Sequence, residues 1–138
     1  MDKKKLAALA AEAMKSSYSP YSGFTVGAAL LCRSGKVYTG CNIENAAFTP
    51  TVCAERVAFF KAISEGERDF SAIAVAGGKN GNIASECPPC GVCRQVMTEF
   101  CAPDFEIILV SAEGERSMTL GELMPLSFGA EITADKEN

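Results

Sequence analysis

Apolar positions along the chain recur at helical spacing in some stretches and at strand spacing in others. Helical spacing predicts an amphipathic helix over 3–17, which a loop rich in Ser, Tyr and Pro follows. Further helices are predicted over 52–65, ending before Gly66, and over 90–101. The predicted strands are 24–31, 37–42, 71–76, 104–110 and 116–118.

The order of these elements predicts an α/β fold. A β-hairpin follows the first helix, and strands then alternate with helices, which indicates helices packed on a mixed sheet. Thr119 and Glu122, three residues apart, predict a capping box on a last short helix. Neither a repeat nor a linker interrupts residues 1–138, so we expect a single domain.

Charge and hydropathy exclude several classes of partner. The chain carries 13 Lys+Arg against 17 Asp+Glu, a formal charge of −4, and a basic tail is absent, which weighs against binding to nucleic acid. No apolar run approaches the ~20 residues of a membrane span, and residues 1–12 do not resemble a secretory signal. We therefore expect a cytoplasmic protein with neither a membrane nor a nucleic-acid partner.

Histidine is absent, and there are seven cysteines. Without histidine the chain cannot use a Ser-His-Asp or Cys-His mechanism, and proton transfer falls to carboxylates, Lys, Tyr or Cys. An odd number of cysteines without a secretory signal argues against a disulfide framework. Some of these thiols are therefore expected to bind a metal.

Three cysteines lie at two predicted helix starts. Cys53 begins one helix, and Cys90 and Cys93 form a Cys-x-x-Cys pair at the start of the next. Helix N-termini favour thiolates, and this spacing lets one tetrahedral ion bridge two sulfurs. Because both helix starts can project from the same sheet edge, we expect Cys53 to be the third ligand of one Zn²⁺ per chain.

Three protein ligands are typical of catalytic zinc, which keeps one position open for water or substrate. Glu55 follows Cys53 by two residues and can face that position as the catalytic acid and base without binding the metal. Three thiolates and Zn²⁺ sum to −1. Arg56 and Arg94, which lie close after cysteines of the cluster, are expected to hydrogen-bond the sulfurs and withdraw charge.

Other interpretations of the cysteines stay open at this point. A Cys-x-x-Cys pair also occurs in thioredoxin-like redox proteins, although a redox pair leaves Cys53 and Glu55 without a role. Cys87 could close a purely structural site as a fourth ligand, although we expect an inert thiol there. The remaining cysteines, expected to be small buried hydrophobes, are Cys32, Cys41 and Cys101.

These motifs together resemble a known family. Cys-Ala-Glu at 53–55 and Pro-Cys-x-x-Cys at 89–93 fit the zinc-deaminase signature, with Cys in its first position. Residues 18–30, 40–46 and 122–128 are also similar to the small, homotetrameric cytidine deaminases. The resemblance covers nearly the whole chain and implies a three-layer α-β-α sandwich with a mixed five-stranded sheet.

The resemblance also implies an activity and a site. The activity is hydrolytic deamination of the free pyrimidine nucleosides cytidine and deoxycytidine to uridine and deoxyuridine plus ammonia, in pyrimidine salvage. Asn42 and Glu44 match residues that bind the sugar hydroxyls, and Phe24 matches an aromatic that lines the nucleoside pocket. Backbone groups near Ala54 would bind the pyrimidine, and Phe128 would stack on the base of a neighbouring subunit in a homotetramer with shared active sites.

Two stretches depart from the family pattern: the loop before Cys87 is longer than usual, and residues 49–52 are atypical. Three other functions remain open. A deaminase of another base or of a nucleoside-type antibiotic would use the same zinc core with different sugar contacts. An editing deaminase would need a basic channel, and a non-enzymatic zinc module would have four sulfur ligands.

Overall fold

The computed structural model of the chain describes residues 1–130. Helices and strands alternate along it in the order that the apolar pattern predicts. In chain order, the elements are α1 (Lys3–Ala13), a 3-10 turn (Met14–Ser16), β1 (Phe24–Cys32), β2 (Val37–Cys41), α2 (Ala54–Ser64), β3 (Phe70–Lys79), α3 (Gly91–Phe100), β4 (Glu106–Ser111), β5 (Gly114–Thr119) and α4 (Leu120–Leu123).

The five strands form one mixed sheet in the order β2-β1-β3-β4-β5. Strand β1 runs antiparallel to both β2 and β3, strands β3 and β4 are parallel, and β5 returns antiparallel to β4. The parallel pair needs a crossover, which α3 supplies. The sheet thus joins an antiparallel hairpin to a parallel unit, as the sequence predicts.

Helices cover both faces of the sheet and divide the core in two. Helix α1 packs on one face through Leu6, Ala10 and Met14, and the other face is covered by α2, α3 and α4. Side chains of β3 alternate accordingly: Ile73 faces α2 and α3, whereas Ala74 faces α1. The three-layer α-β-α sandwich implied by the family resemblance is therefore confirmed.

Two glycines of the sheet let helices approach closely. A Cβ on Gly27 would lie 2.0 Å from the carbonyl oxygen of Ala10 in α1, and a Cβ on Gly40 would lie 2.4 Å from that of Ala54 in α2. Both atoms belong to helix backbone, which cannot move aside without shifting the helix. Gly40 therefore fixes the height of the first turn of α2 above the sheet, and that turn follows Cys53 directly.

The capping box is confirmed: the Thr119 hydroxyl accepts from the Glu122 N–H, and the Glu122 carboxylate accepts from the Thr119 N–H. Most boundaries agree with the prediction to within two residues, and two differ by more. Helix α1 gives way to a 3-10 turn after Ala13 instead of reaching residue 17. Strand β3 runs on to Lys79, beyond the predicted end at residue 76, because Lys79 pairs with Phe24 in β1.

None of the helices within residues 1–130 is long and apolar enough to cross a membrane.

Replacing Gly27 with Ala tests the close approach of α1 to the sheet. We expect Gly27→Ala to lower the free energy of unfolding by about 3 kcal/mol or more, because helix backbone blocks the added methyl group. Gly91→Ala is the matched control, since a Cβ there meets no atom within 4 Å, and it should stay within about 0.5 kcal/mol of wild type. Guanidinium unfolding of the zinc-loaded proteins measures both, and equal midpoints would contradict the packing described.

Candidate active site

Two helix N-termini meet at the site, and each has a cysteine at its N-cap. Cys53 caps α2 and Cys90 caps α3, both with extended backbone and without a side-chain hydrogen bond to the helix. The side chain of an N-cap Ser or Asp would accept a hydrogen bond from a free N–H group of the first turn. The two cysteine sulfurs make no such capping hydrogen bond and lie in the positive potential of the helix N-termini, which stabilises thiolates.

The three cysteines form one compact sulfur cluster. The Sγ atom of Cys90 lies 3.7 Å from that of Cys53 and 3.6 Å from that of Cys93, and all three sulfurs fall within 4.8 Å of one another. Tetrahedral zinc with Zn–S bonds of about 2.3 Å requires sulfurs about 3.8 Å apart. The donor set and its spacing therefore fit one Zn²⁺ held by three thiolates.

Hydrogen bonds within the cluster favour the thiolate form of Cys53. A hydrogen bond from Cys93, together with the Arg56 guanidinium, lowers the pKa of Cys53 to about 5. The same shared proton raises the pKa of Cys93. The surroundings of Cys53 therefore favour the thiolate form that metal binding requires.

Glu55 is a buried carboxyl beside this cluster. It is 3% exposed, lies in the first turn of α2 and lines the same pocket as Cys53 and Cys90. Burial raises the pKa of the Glu55 carboxyl to about 7. A carboxyl with a pKa near the working pH can both accept and donate a proton, which suits general acid–base catalysis.

The two arginines of the charge-tuning prediction behave differently. The Arg56 guanidinium donates to the Cys53 sulfur over 3.4 Å, as expected. Its Nε–H is buried without a hydrogen-bond partner in the part of the chain that the structure describes. Holding a guanidinium there despite that orphaned donor is consistent with a need for positive charge beside the thiolates.

The expectation for Arg94 needs correction. Its guanidinium donates to the carbonyl oxygens of Pro89 and Leu123, at 2.7 and 2.8 Å, rather than to a sulfur. The side chain leaves Cys93 in the direction of the Pro-Cys turn and the C-terminal end of α4. Arg94 therefore braces the turn that carries Cys90 and does not tune the charge of the cluster by a direct contact.

Cys87 stays outside the metal cluster, which among residues 1–130 contains Cys53, Cys90 and Cys93 alone. It nevertheless lines the pocket beside Phe24 and Glu55. Burial raises the pKa of the Cys87 thiol to about 11. Burial also raises the pKa of Cys32 to about 11 and that of Cys101 to about 12.

A pocket of about 290 Å³ opens in front of the cluster and Glu55. It brings together most of the residues that the family resemblance implies, and its size approaches that of small-ligand sites. The residues lining it are Ser22, Phe24, Val26, Asn42, Glu44, Thr51, Val52, Cys53, Glu55, Cys87, Pro88 and Cys90.

Asn42 and Glu44 face the pocket from the segment after β2, and both are already engaged in hydrogen bonds. The Asn42 amide donates to the Phe24 carbonyl oxygen over 2.8 Å and accepts from the Val26 N–H over 2.9 Å. The Glu44 carboxylate accepts from both the Ser22 N–H and the Ser22 Oγ–H. The bond from the Ser22 hydroxyl contributes most to lowering the pKa of Glu44. Each side chain is therefore held in one orientation, which suits recognition of a fixed pair of hydroxyl groups.

Two of the predicted substrate residues do not line this pocket. Ala54 is fully buried at the first position of α2 and offers backbone N–H alone. Phe128 is 59% exposed, and its carbonyl oxygen accepts from the Gln95 side chain on α3. The roles of both in substrate binding stay predictions.

The sequence predicts no function for several residues that lie beside Glu44 in the pocket. Ser22 and Thr51 line the pocket, and Lys79 reaches the same wall from β3. Ser22 lies inside a stretch similar to the family, but its contact with Glu44 spans 22 residues. Nothing in the local sequence signals such a contact.

Comparison with known proteins shows where this architecture recurs. A model of the family described as "Cytidine and deoxycytidylate deaminase zinc-binding region" matches residues 1–109. A cytidine deaminase from Sporosarcina psychrophila is 46% identical over 95% of this chain and 94% of that protein. One from Halalkalibacterium halodurans is 48% identical over 98% of this chain and 100% of that protein. The crystal structure of cytidine deaminase from Burkholderia pseudomallei superposes with a TM-score of 0.85 at 42% identity, covering 93% of this chain and 100% of that one.

Zinc content of cysteine variants tests the ligand set. We expect Cys53→Ala and Cys90→Ala to lose the metal, because two thiolates hold zinc far more weakly than three. Cys87→Ala is the matched control and should keep about one zinc per chain, since its thiol lies outside the cluster. Metal analysis after dialysis measures this. Loss of zinc from Cys87→Ala would contradict the three-sulfur site.

Proposed function

This chain belongs to the family of cytidine and deoxycytidylate deaminases, and from that premise and the geometry of the site we propose that it hydrolyses cytidine and deoxycytidine to uridine and deoxyuridine, releasing ammonia. The observation that carries the proposal is the pairing of a three-sulfur zinc site with the buried carboxyl of Glu55 at the bottom of one pocket. A structural zinc site has no use for such a carboxyl.

Glu55 performs both proton transfers of the reaction. Bound zinc supplies Lewis acidity, which makes water a nucleophile near neutral pH. Glu55 accepts a proton from the attacking water and delivers it to N3 of the pyrimidine while the water oxygen bonds to C4. Glu55 then carries the remaining hydroxyl proton to the amino group, the C4–N4 bond breaks, ammonia leaves and C4 keeps a carbonyl oxygen.

Burial of Glu55 supports this double role. A fully hydrated carboxylate would give up its acquired proton to solvent, whereas the raised pKa of Glu55, about 7, lets it hold a proton between the two steps. Arg56 offsets part of the negative charge of three thiolates and so keeps electron density on the sulfurs low.

The proposed nucleoside lies between Phe24 on one side and the polar pair of Asn42 and Glu44. Phe24 offers an apolar wall, and the second amide hydrogen of Asn42 and the remaining lone pairs of Glu44 can bind sugar hydroxyl groups. The N–H of Ala54, which as the first residue of α2 has no partner within the helix, can donate to the pyrimidine. This set favours a free nucleoside over nucleic acid, in line with the net charge of −4.

We propose a homotetramer in which neighbouring subunits complete each site. Large apolar side chains are exposed on the surface, among them Phe48, which is 73% exposed, and Leu126. Both residues also have a positive φ, which is unusual for residues other than glycine. Phe48 borders a shallow cavity that shares Glu44 and Thr51 with the pocket. Phe128 would reach the base from a neighbouring subunit.

The remaining assignments follow from the same chemistry. Residues 1–138 are proposed as one catalytic domain, since a single sheet carries one core cluster on each of its faces. A site made of three reduced thiolates fits the cytoplasm, where thiols persist. Converting cytidine to uridine there would return pyrimidines to a common pool, which is a salvage role.

Replacing Glu55 with Gln tests the proposed chemistry. We expect Glu55→Gln to keep its zinc and to lose turnover of cytidine by about 10³-fold or more, because the amide cannot shuttle protons. Glu12→Gln is the control, since that α1 carboxylate pairs with Lys15 of the 3-10 turn, and the substitution should leave the rate unchanged. The decrease in ultraviolet absorbance of cytidine measures turnover.

Retained turnover in Glu55→Gln would exclude the mechanism. A wild-type protein that holds zinc but leaves cytidine and deoxycytidine intact would exclude the substrate assignment, and other aminated bases and nucleoside-type antibiotics would then be tested.

Mixing variants tests the shared site. Light scattering should give the mass of four chains of 14.6 kDa each. We expect Phe128→Ala to raise the KM for cytidine. Refolding Phe128→Ala together with Glu55→Gln should give more activity at low cytidine concentration than the two variants refolded separately. In mixed assemblies one subunit supplies Phe128 and another supplies Glu55. An absence of restored activity, or a monomer, would contradict a site completed by a neighbouring subunit.

A further inference from the structure

Strand β3, which precedes the longer loop before the Pro-Cys turn, ends with a lysine that reaches the wall of the pocket near Glu44. Lys79 is the last residue of β3, and its Nζ atom donates to the carbonyl oxygen of Ser22 over 2.7 Å. These two residues are 57 positions apart in sequence. The contact links the end of β3 to the turn whose residues bind Glu44.

Ser22 is in turn the main partner of Glu44. The Glu44 carboxylate accepts from the Ser22 N–H over 3.1 Å and from the Ser22 hydroxyl over 2.5 Å, and the Tyr21 N–H adds a third bond of 3.0 Å. Three donors from one turn fix the plane of the carboxylate. They leave the remaining lone pairs pointing in a direction that the turn determines.

The turn is anchored at both of its ends, and between them the Lys79 side chain binds the Ser22 carbonyl oxygen. Neither Tyr21 nor Ser22 is part of a strand or helix in the structure, and Tyr21 is 56% exposed. The Gly23 N–H donates to the Ser19 carbonyl oxygen within the same turn, and the Gly23 carbonyl oxygen accepts from the Asn80 N–H over 2.8 Å. At the start of the turn, the Tyr18 N–H donates to the Asn42 carbonyl oxygen and the Tyr18 carbonyl oxygen accepts from the Glu44 N–H, and β1 begins directly after the turn at Phe24. Between these two ends, the Lys79 ammonium group ties Ser22 itself to the end of β3.

Phe24 does not depend on the same bond. Its carbonyl oxygen accepts from the Asn42 amide, and its backbone is paired with Lys79 in the ladder between β1 and β3. Losing the ammonium group of Lys79 leaves these backbone contacts in place. The effect of that loss should fall on Ser22 and Glu44 rather than on the apolar wall.

From these contacts we propose that Lys79 is a positioning residue for the sugar subsite: by binding the Ser22 carbonyl it holds the turn 19–23 against Glu44 and orients the carboxylate toward the hydroxyl groups of the nucleoside. The inference rests on the proposed function, because it assigns the sugar hydroxyls as the groups that Glu44 binds. It adds a residue that contacts neither the substrate nor the metal cluster.

A comparison of two substrates tests the proposal. We expect Lys79→Met to raise the KM for cytidine about tenfold, which corresponds to losing one hydrogen bond to a charged group. The kcat should stay within about twofold, because Glu55 and the zinc ligands are untouched. Lys79→Arg, which keeps the charge and the donors, should restore a KM near that of wild type. With 2′,3′-dideoxycytidine, which lacks the hydroxyl groups that Glu44 would bind, the KM should be the same for wild type and Lys79→Met.

Lys61→Met is the matched control. The Lys61 ammonium group also donates to a strand carbonyl, that of Thr39, but on α2 away from the pocket. It should leave both KM values unchanged, and zinc content and thermal midpoint should be equal in all variants.

The outcomes separate the two proposals. If the wild type does not deaminate cytidine, the proposed function fails. If it does, an unchanged KM for cytidine in Lys79→Met, or an equal rise for both substrates, overturns the role of Lys79 in orienting Glu44.

Discussion

The site depends on gathering three thiolates at the N-termini of two helices. Like charges at such short separations, with sulfurs 3.6–3.7 Å apart, repel strongly unless a cation lies among them. The free N–H groups of α2 and α3 and the Arg56 guanidinium lower that repulsion, and a zinc ion removes most of it. Metal binding and the relative placement of the two helices are therefore coupled, so that zinc stabilises the fold as well as the chemistry.

Close packing of the sheet makes this placement possible. Gly40 allows the first turn of α2 to lie against β2, which sets the position of Cys53. The parallel pairing of β3 with β4 requires a crossover helix, and the start of α3 brings Cys90 to the same side. Arg94 then ties the Pro89 carbonyl to the end of α4, so the turn before Cys90 is braced from the C-terminal side. Sulfur geometry thus results from backbone contacts spread over most of the chain.

Much of this could be predicted from the sequence, because its signals are local. The Cys-Ala-Glu and Pro-Cys-x-x-Cys motifs lie at helix starts that apolar spacing and breakers predict, and the Thr119 capping box follows from two residues. Strand β3 was predicted too short because glycines usually mark loops, whereas at Gly78 the missing side chain makes room for the Asn82 carbonyl oxygen. Arg94 was misassigned because its neighbour in sequence, Cys93, is not its neighbour in hydrogen bonding. The contacts of Glu44 with Ser22 and of Ser22 with Lys79 join distant segments, and no local pattern encodes them.

X-ray absorption at the zinc edge tests the central claim most directly, because it counts the sulfur ligands in the purified protein. Three thiolates should appear as three sulfur scatterers at about 2.3 Å, with one oxygen or nitrogen at about 2.0 Å in the open position. The Cys87→Ala protein should give the same spectrum, since its thiol lies outside the cluster. Four sulfur scatterers in wild type would contradict an open catalytic position and would identify a structural zinc site instead.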